Sequence, residues 1–188
     1  MCLIIHQATT DAVKKKTGKF TAYKIYRRQV KGDVYVLMSP YIGEVVESSG
    51  VVSAVKKATS YSVVGTSLVT TLSEDEQRHG VVNFGIHVFT SKRIAEQDVS
   101  GWLGKYNLVV IPVICEYEDV RAVGTPSAPA TYSADNELSS VVLTKITIDQ
   151  RVWDAALKMG SDFLNVRTVD AFEDFPPTID LTIEEACA

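Results

Sequence analysis

Cys2 is the side chain in this sequence with the most direct route to covalent chemistry. Removal of Met1 would leave a free amine on the residue that also carries the thiol. Such an amine can act as the base for its own side chain, which is how N-terminal nucleophile enzymes work. The alternative is structural, since a small buried cysteine can also open an apolar strand over residues 2–6. An N-terminal cysteine hydrolase is therefore one hypothesis for this chain.

His87 is the second side chain with useful chemistry, and it lies in the stretch 80–97, around which the fold is predicted to form. Residues 85–89 have the composition of a short buried strand. Alternation along that strand places the His87 side chain on the face opposite Ile86 and Val88. An imidazole there is either a pocket residue or a core histidine bonded to the backbone, and the sequence leaves both open.

A helix is predicted directly after this strand. Thr90 or Ser91 can cap it, because a hydroxyl accepts hydrogen bonds from backbone N–H groups that the first turn leaves unpaired. Ile94 and Ala95 are its apolar positions. Gly85, at the start of the strand, indicates either a close approach of other atoms to the backbone or an unusual φ angle.

Charged residues are distributed unevenly along the chain. Every charged residue from Lys14 to Lys31 is basic, whereas Arg167 is the only basic residue from Asp162 onward. This asymmetry is typical of a nucleic-acid surface, of two segments that neutralise each other, or of a solvated face. Nucleic acid is a possible partner but is not favoured, because few aromatic side chains accompany the lysines.

Tyr23 and Arg27 lie within this basic segment and, together with His87, are the predicted ligand-binding residues. Residues 20–29 alternate and are rich in β-branched and aromatic side chains, which favours a strand. A turn at 31–33 and a second strand at 34–38 complete a predicted hairpin.

The remaining elements complete the predicted framework. Strands are expected at 108–116, the most apolar run, and at 141–148. Pro112 indicates that one side of the first of these strands is unpaired or bulged, since proline lacks a ladder donor. Asp149 is predicted to cap a helix that continues to Met159. Connections are expected at 9–19 and 125–136, and short strands or irregular structure at 44–72. The expected fold class is α+β, with a mixed, mainly antiparallel sheet and a few short helices.

Length and composition favour a single domain over residues 1–188, with the acidic segment 161–188 docked on it. The chain has 188 residues, of which 46% are hydrophobic and 22% are charged, as in a globular domain. Neither a membrane span nor a secretory signal is visible. Three widely spaced cysteines favour a reducing compartment, and hence the cytoplasm. Since no cluster of histidines and cysteines has ligand spacing, no metal site is predicted.

The order of parts in the middle of the chain resembles the ADP-ribosyltransferase arrangement. The stretch GIHVFTSKRIAEQ, followed by NLVVIPVICEYEDV, is similar to that family's Gly-Ile-Tyr-Phe-Ala strand, helix start and Leu-rich strand. The resemblance implies that His87 stands where a tyrosine stacks on nicotinamide, that Glu137 polarises a ribose hydroxyl, and that Arg27 meets the pyrophosphate of NAD. The family's first-strand histidine has no counterpart at 23–26, so the resemblance favours a relative without activity.

Four short motifs resemble an uncharacterised group of bacteriophage proteins: YKIY, SPY, GIHVF and VVLTKITI. The opening MCLIIH is similar to that of class II amidotransferase-like phage proteins. No complete set of nucleophile, base and orienting group can be assembled from the residues. The expectation is therefore a phage-type accessory protein that binds a host protein or a small nucleotide-like ligand without catalysis. An ADP-ribosyltransferase-like enzyme that uses NAD and an N-terminal cysteine hydrolase are the alternatives.

Overall fold

The computed structural model describes residues 3–40, 45–46, 48–57, 66–68, 74–82, 85–102, 107–126, 138–159 and 165–181. The helices of this part are α1 Gln7–Val13, α2 Glu74–His79, α3 Lys92–Trp102 and α4 Gln150–Leu157. The strands are β1 Leu3–Ile5, β2 Lys19–Lys31, β3 Val34–Met38, β4 Val45–Val46, β5 Gly50–Ser53, β6 Val55–Lys57, β7 Thr66–Leu68, β8 Val81–Val82, β9 Ile86–Phe89, β10 Leu108–Glu116, β11 Val120–Pro126, β12 Ser140–Leu143, β13 Lys145–Ile148 and β14 Arg167–Thr168.

One large sheet dominates the fold, and its order is β5-β13-β10-β2-β9-β12-β11-β1-β8, with β3 and β4 continuing beside β2. These pairs are antiparallel, while β14 runs parallel to β10. Strands β6 and β7 pair separately. The predicted mainly antiparallel sheet with a few short helices is confirmed in this coarse form, and the description mainly β fits the molecule equally well.

Strand β10 lies in the middle of the sheet, paired with β2 from Leu108 to Glu116. On its other edge, β14 pairs at Val109 and Val110, and β13 pairs at Ile114. Pro112 lies between these two partners, so its missing N–H interrupts no ladder among the described residues. The prediction that one side of this proline is unpaired is confirmed.

The segment 9–19 was predicted to be a connection, and this is wrong for its first part, which belongs to helix α1. His6 is the N-cap residue, and its ring accepts a hydrogen bond from the Thr9 backbone N–H. Thr10 is fully buried, and its hydroxyl accepts from the Val123 N–H at 2.9 Å. The helix can have a polar sequence because its buried Thr10 is satisfied by backbone groups of β11, while the hydroxyl of the buried Thr9 bonds with the His6 ring.

The run 141–148 was predicted to be one strand, and it is two. Strand β12 pairs with β9 and β11, whereas β13 pairs with β10 and β5. The chain turns at Thr144, whose N–H donates to the Asp119 carbonyl at 2.9 Å and whose hydroxyl donates to the Asp119 carboxylate at 2.8 Å. The turn carries the chain from one side of the β2–β10 pair to the other, so the sheet curls around its core.

Helices α3 and α4 cover different parts of the sheet. Ile94 and Ala95 of α3 pack against Ile25 of β2 and against β10. Val152 and Ala156 of α4 belong to the main core cluster instead. The predicted caps are present, since the Ser91 hydroxyl accepts from the Ile94 N–H at 3.2 Å and the Asp149 carboxylate accepts from the Arg151 N–H at 2.8 Å.

Residues 165–181 of the acidic segment run across the sheet. The Thr21 N–H donates to the Pro177 carbonyl at 2.8 Å, and Ile179 is buried. Three surface ion pairs join this segment to earlier parts of the chain. They are Lys16–Asp180 at 3.2 Å, Lys92–Asp170 at 2.5 Å and Arg151–Asp174 at 3.0 Å.

Candidate functional site

His87 lies in the middle of β9, opposite Val142 of β12, and only 7% of its surface is exposed. Strands β2 and β9 pair at Tyr23 and Phe89 and then separate. The Lys24 ammonium enters this gap and donates to the His87 carbonyl at 2.8 Å, where a ladder N–H would otherwise lie. Within the described part of the chain, neither nitrogen of the His87 ring has a hydrogen-bond partner.

The environment of His87 keeps its ring neutral. Burial lowers its pKa from 6.5 to about 3, and the positive charges of Lys24 and Arg121 act in the same direction. A neutral imidazole has one donor nitrogen and one acceptor nitrogen. At neutral pH this group can therefore donate or accept a hydrogen bond but carries no charge.

Arg121 approaches this histidine from β11, two strands away in the sheet. Val120 pairs with Leu143, and Ala122 pairs with Val142, the neighbour of Leu143 in β12. Arg121 therefore has no pairing residue of its own and is the extra residue of a β-bulge. Val120 and Val123 both face the main core cluster. The bulge thus leaves Arg121 and Ala122 on the other face of the sheet, the face of His87.

Glu76 of α2 forms an ion pair with Arg121, at 3.1 Å between its Oε2 and Nη2. The two side chains are 4% and 1% exposed, so the pair is buried. Burial lowers the pKa of Arg121, and the Glu76 charge opposes that shift. In a site with so little water, loss of either partner would be strongly destabilising.

Gly85 makes room for the buried cluster of His87, Arg121 and Glu76. Its φ angle is +127°, and a Cβ there would overlap with Cγ1 of Val142 and lie 3.2 Å from Nη1 of Arg121. The prediction of an unusual φ angle or a close approach at Gly85 is confirmed. The short distance to Nη1 also shows that the guanidinium lies beside β9, two residues before His87.

Tyr23 and Arg27 lie on the same face of β2, four residues apart. Ile25 lies between them and is buried under α3. Burial raises the pKa of Tyr23, with Lys92 lowering it and Asp170 raising it. No continuous open surface therefore connects Tyr23 with Arg27 along this face, and their roles as ligand-binding residues stay predictions.

The other predicted site residues cannot be placed, because Cys2 and Glu137 lie outside the described residues, as does most of the predicted loop 125–136. Cys115 is buried in the main core, and burial raises its pKa, so it is a protonated thiol. No group of three or more His, Cys, Asp or Glu side chains among the described residues could hold a metal ion. None of the helices that the structure describes is long and apolar enough to cross a membrane.

A groove lies at the far end of β2, between the β2–β3 hairpin and α4. Its volume is about 470 Å³, which is within the roughly 300–1,000 Å³ typical of ligand sites. This hairpin groove is lined by Lys31, Val34, Tyr35, Val36, Trp153 and Leu157. The sequence analysis placed the predicted ligand-binding residues Tyr23 and Arg27 on the same basic hairpin, but it did not predict the wall that α4 contributes.

Arg28 fixes the wall of the hairpin groove that contains Tyr35. Its guanidinium stacks on the Tyr35 ring at 4.1 Å and donates to the Leu157 carbonyl at 3.1 Å, and the residue is 1% exposed. This contact holds the hairpin against the C-terminal end of α4. Val30 and Val34 beside the groove are 64% and 61% exposed. The hairpin therefore combines a fixed aromatic wall with an apolar tip that faces solvent.

Comparison with protein-family models, with curated proteins and with solved structures gives no significant match to this chain. The resemblances to bacteriophage proteins and to ADP-ribosyltransferases therefore stay predictions.

Proposed function

We propose that this chain is a cytoplasmic, phage-type accessory protein that binds a small nucleotide-like ligand in the hairpin groove and does not act on it chemically. The observation that carries the proposal is the composition of the groove, in which Tyr35 and Trp153 stand close to Lys31. Trp153 is 6% exposed and belongs to the main core, so the partly buried Tyr35 is the ring against which a base can stack, and an ammonium group attracts a phosphate.

That the ligand is bound without chemical change is supported by where the reactive side chains of the described residues lie. The imidazole of His87 and the Arg121–Glu76 pair are buried beside β9, far along β2 from the groove. Lys24, next to His87, and Lys31, in the groove, are seven residues apart on one strand, which corresponds to roughly 23 Å. A ligand in the groove would therefore not reach these groups.

The fluorescence of Trp153 tests binding directly, because the residue lines the groove. The chain has two tryptophans, so Trp102→Phe leaves Trp153 as the sole emitter. We expect AMP, ADP or NAD to change its emission saturably, and Lys31→Ala to weaken binding at least about fivefold, as loss of a phosphate contact does. Lys15→Ala, a change of the same charge at an exposed position before the start of β2, is the control. No response to any of these ligands at millimolar concentration would contradict the proposal.

Incubation with NAD separates binding from turnover. The proposal predicts that no nicotinamide is released. Release of nicotinamide that disappears in Glu137→Gln would favour the ADP-ribosyltransferase-like alternative over binding without catalysis. Hydrolysis that requires removal of Met1 would favour the N-terminal cysteine hydrolase instead.

A host protein is the second candidate partner, and the exposed tip of the hairpin favours it. Val30 and Val34 together place two large apolar side chains in solvent. A photoreactive group at position 34 would then crosslink the chain to its partner protein. The same group in a chain that also carries Val30→Asp would no longer form this crosslink. Val51→Asp, at a residue of β5 that is 67% exposed, should leave capture intact. Equal capture by both variants would remove this candidate.

A further inference from the structure

One wall of the hairpin groove is the outer edge of strand β3. On its inner edge this strand pairs with β2 along its whole length, from Val34 to Met38. On its outer edge it pairs with β4, and only through Leu37 and Met38. The chain turns away soon after β4, since Ser48 forms a bend. Among the described residues, no strand therefore continues the outer ladder from Leu37 to the tip of the hairpin.

The backbone of Tyr35 faces this open edge. The Arg28 N–H donates to the Asn107 carbonyl at 2.9 Å, so the backbone of Arg28 points toward the start of β10 and its neighbours in β2 point toward β3. One neighbour, Gln29, pairs with Val36, whose backbone groups therefore point back to β2. Tyr35 comes next to Val36 and directs its N–H and C=O away from β2, at the edge that lines the groove.

This edge of β3 lacks the features that usually prevent a strand from pairing further. Natural edge strands commonly carry a lysine, a proline or an inward-pointing charge. The sequence of β3 is VYVLM, which contains neither a charge nor a proline. Val34, at its start, is 61% exposed. The edge is therefore suited to accept another strand.

We propose that the hairpin groove is a β-augmentation site, where an extended peptide segment of a partner protein pairs with β3 at Tyr35 and continues the line of β4. The peptide would belong to the host protein that is the second candidate partner, so the site rests on that part of the proposed function and not on nucleotide binding. Backbone hydrogen bonds to Tyr35 would provide affinity, and the side chains of the peptide would provide specificity. A peptide in the groove would exclude a nucleotide.

The side chains around Tyr35 predict the sequence of this peptide. Opposite residues of a ladder place their side chains on the same face of the sheet. Tyr35 shares its face with Leu37, which belongs to the core cluster that α4 covers, and the partly buried Leu157 of α4 lines the groove. The next peptide residue would lie opposite Val34, on the face of Lys31, which pairs with Val34. We expect a large apolar residue opposite Tyr35 and an acidic residue beside it.

A library of random short peptides displayed on yeast, selected on the full-length chain, provides the probe. We expect the enriched sequences to share an acidic residue next to a large apolar one. Selection on Lys31→Glu should replace the acidic residue by a basic one. Lys15→Glu, the same change at an exposed residue before β2, is the control and should enrich the original sequences. Enrichment of no sequence on the wild-type chain would overturn the proposal.

N-methylation of an enriched synthetic peptide tests the backbone pairing without any change to the folded chain. A methyl group on the amide that bonds to Tyr35 removes a donor from the ladder, so it should weaken binding at least about tenfold. The adjacent amide of the peptide points to the other edge, where there is no partner strand, so its methylation should have little effect. That adjacent amide is the matched control, because such alternation is specific to a paired strand.

The amide proton of Tyr35 reports the same pairing on the protein. Titration of the ¹⁵N-labelled chain with the peptide should shift this proton downfield, as a new hydrogen bond does. The Val36 amide, which already points to β2, should shift less. Neither measurement depends on a nucleotide, so peptide pairing and nucleotide binding are tested separately. Equal effects of N-methylation at the two adjacent amides, or an unchanged Tyr35 amide, would overturn the proposal.

Discussion

At the scale of single residues, the neutral His87 ring makes stability depend on pH. Its pKa in the folded chain is about 3 and its ordinary value is 6.5. The unfolded chain therefore binds more protons between these values, so this contribution is complete above pH 6.5 and is lost as the pH falls toward 3. Each pH unit in that window changes the free energy of unfolding by about 1.4 kcal/mol.

His87→Gln removes this titration and keeps a neutral polar side chain. We expect the difference in free energy of unfolding between wild type and variant to shrink by about 3 kcal/mol from pH 6.5 to pH 4. Urea titrations of both proteins at several pH values measure it, with the carboxylates common to both cancelling out. Parallel pH profiles would show that the pKa of His87 is the same in the folded and in the unfolded chain.

Gly85→Ala tests how closely the cluster is packed. The added Cβ would meet Val142 and Arg121 at a φ angle that side chains rarely adopt, so we expect a loss of about 2–4 kcal/mol. Gly32→Ala is the matched control, because φ is +63° there and no atom lies within 4 Å of the added Cβ. It should cost only about 1–2 kcal/mol, the strain of a side chain in the left-handed region. Equal losses in urea unfolding would contradict the close approach.

At the scale of elements, helix α1 depends on one buried hydroxyl. Thr10→Val would keep the volume but leave the Val123 N–H and carbonyl without their side-chain partner. We expect a loss of about 1–3 kcal/mol in the free energy of unfolding. Thr17→Val, at an exposed position just after the helix, should have little effect. A Thr10→Val protein as stable as the wild type would mean that α1 docks by other contacts.

The elements that the sequence predicted are those whose signals are local. Alternation identified the β2–β3 hairpin, and an apolar run flanked by a cap identified β9 with α3. Helix α1 was missed because two of its three buried residues are threonines, and the burial of Thr10 depends on hydrogen bonds to a distant strand. The corner at Thr144 was missed for the same reason, since it depends on hydrogen bonds to Asp119.

The candidate site was predictable only at its centre. His87 and Gly85 stood out by residue type in a buried strand. Arg121 and Glu76 did not, because the bulge that turns Arg121 onto the face of His87 is visible only in the pairing of β11 with β12. No periodicity in the sequence separates such an arginine from an exposed one.

At the scale of the whole molecule, β2 connects two regions with different chemistry. Near Lys24 the strand borders the buried cluster around His87, and near Lys31 it forms a wall of the hairpin groove. Core packing of α3 on Ile25 separates the two. Ligand binding in the groove should therefore leave the buried cluster unchanged.

Amide hydrogen exchange with and without a saturating nucleotide measures most directly whether the ligand binds in the groove and leaves the cluster around His87 unchanged. We expect slower exchange at residues 34–36 and 153–157, around the groove, and unchanged exchange at residues 86–89. Protection at 86–89 with no change at 34–36 would place the ligand beside His87 and would contradict the account.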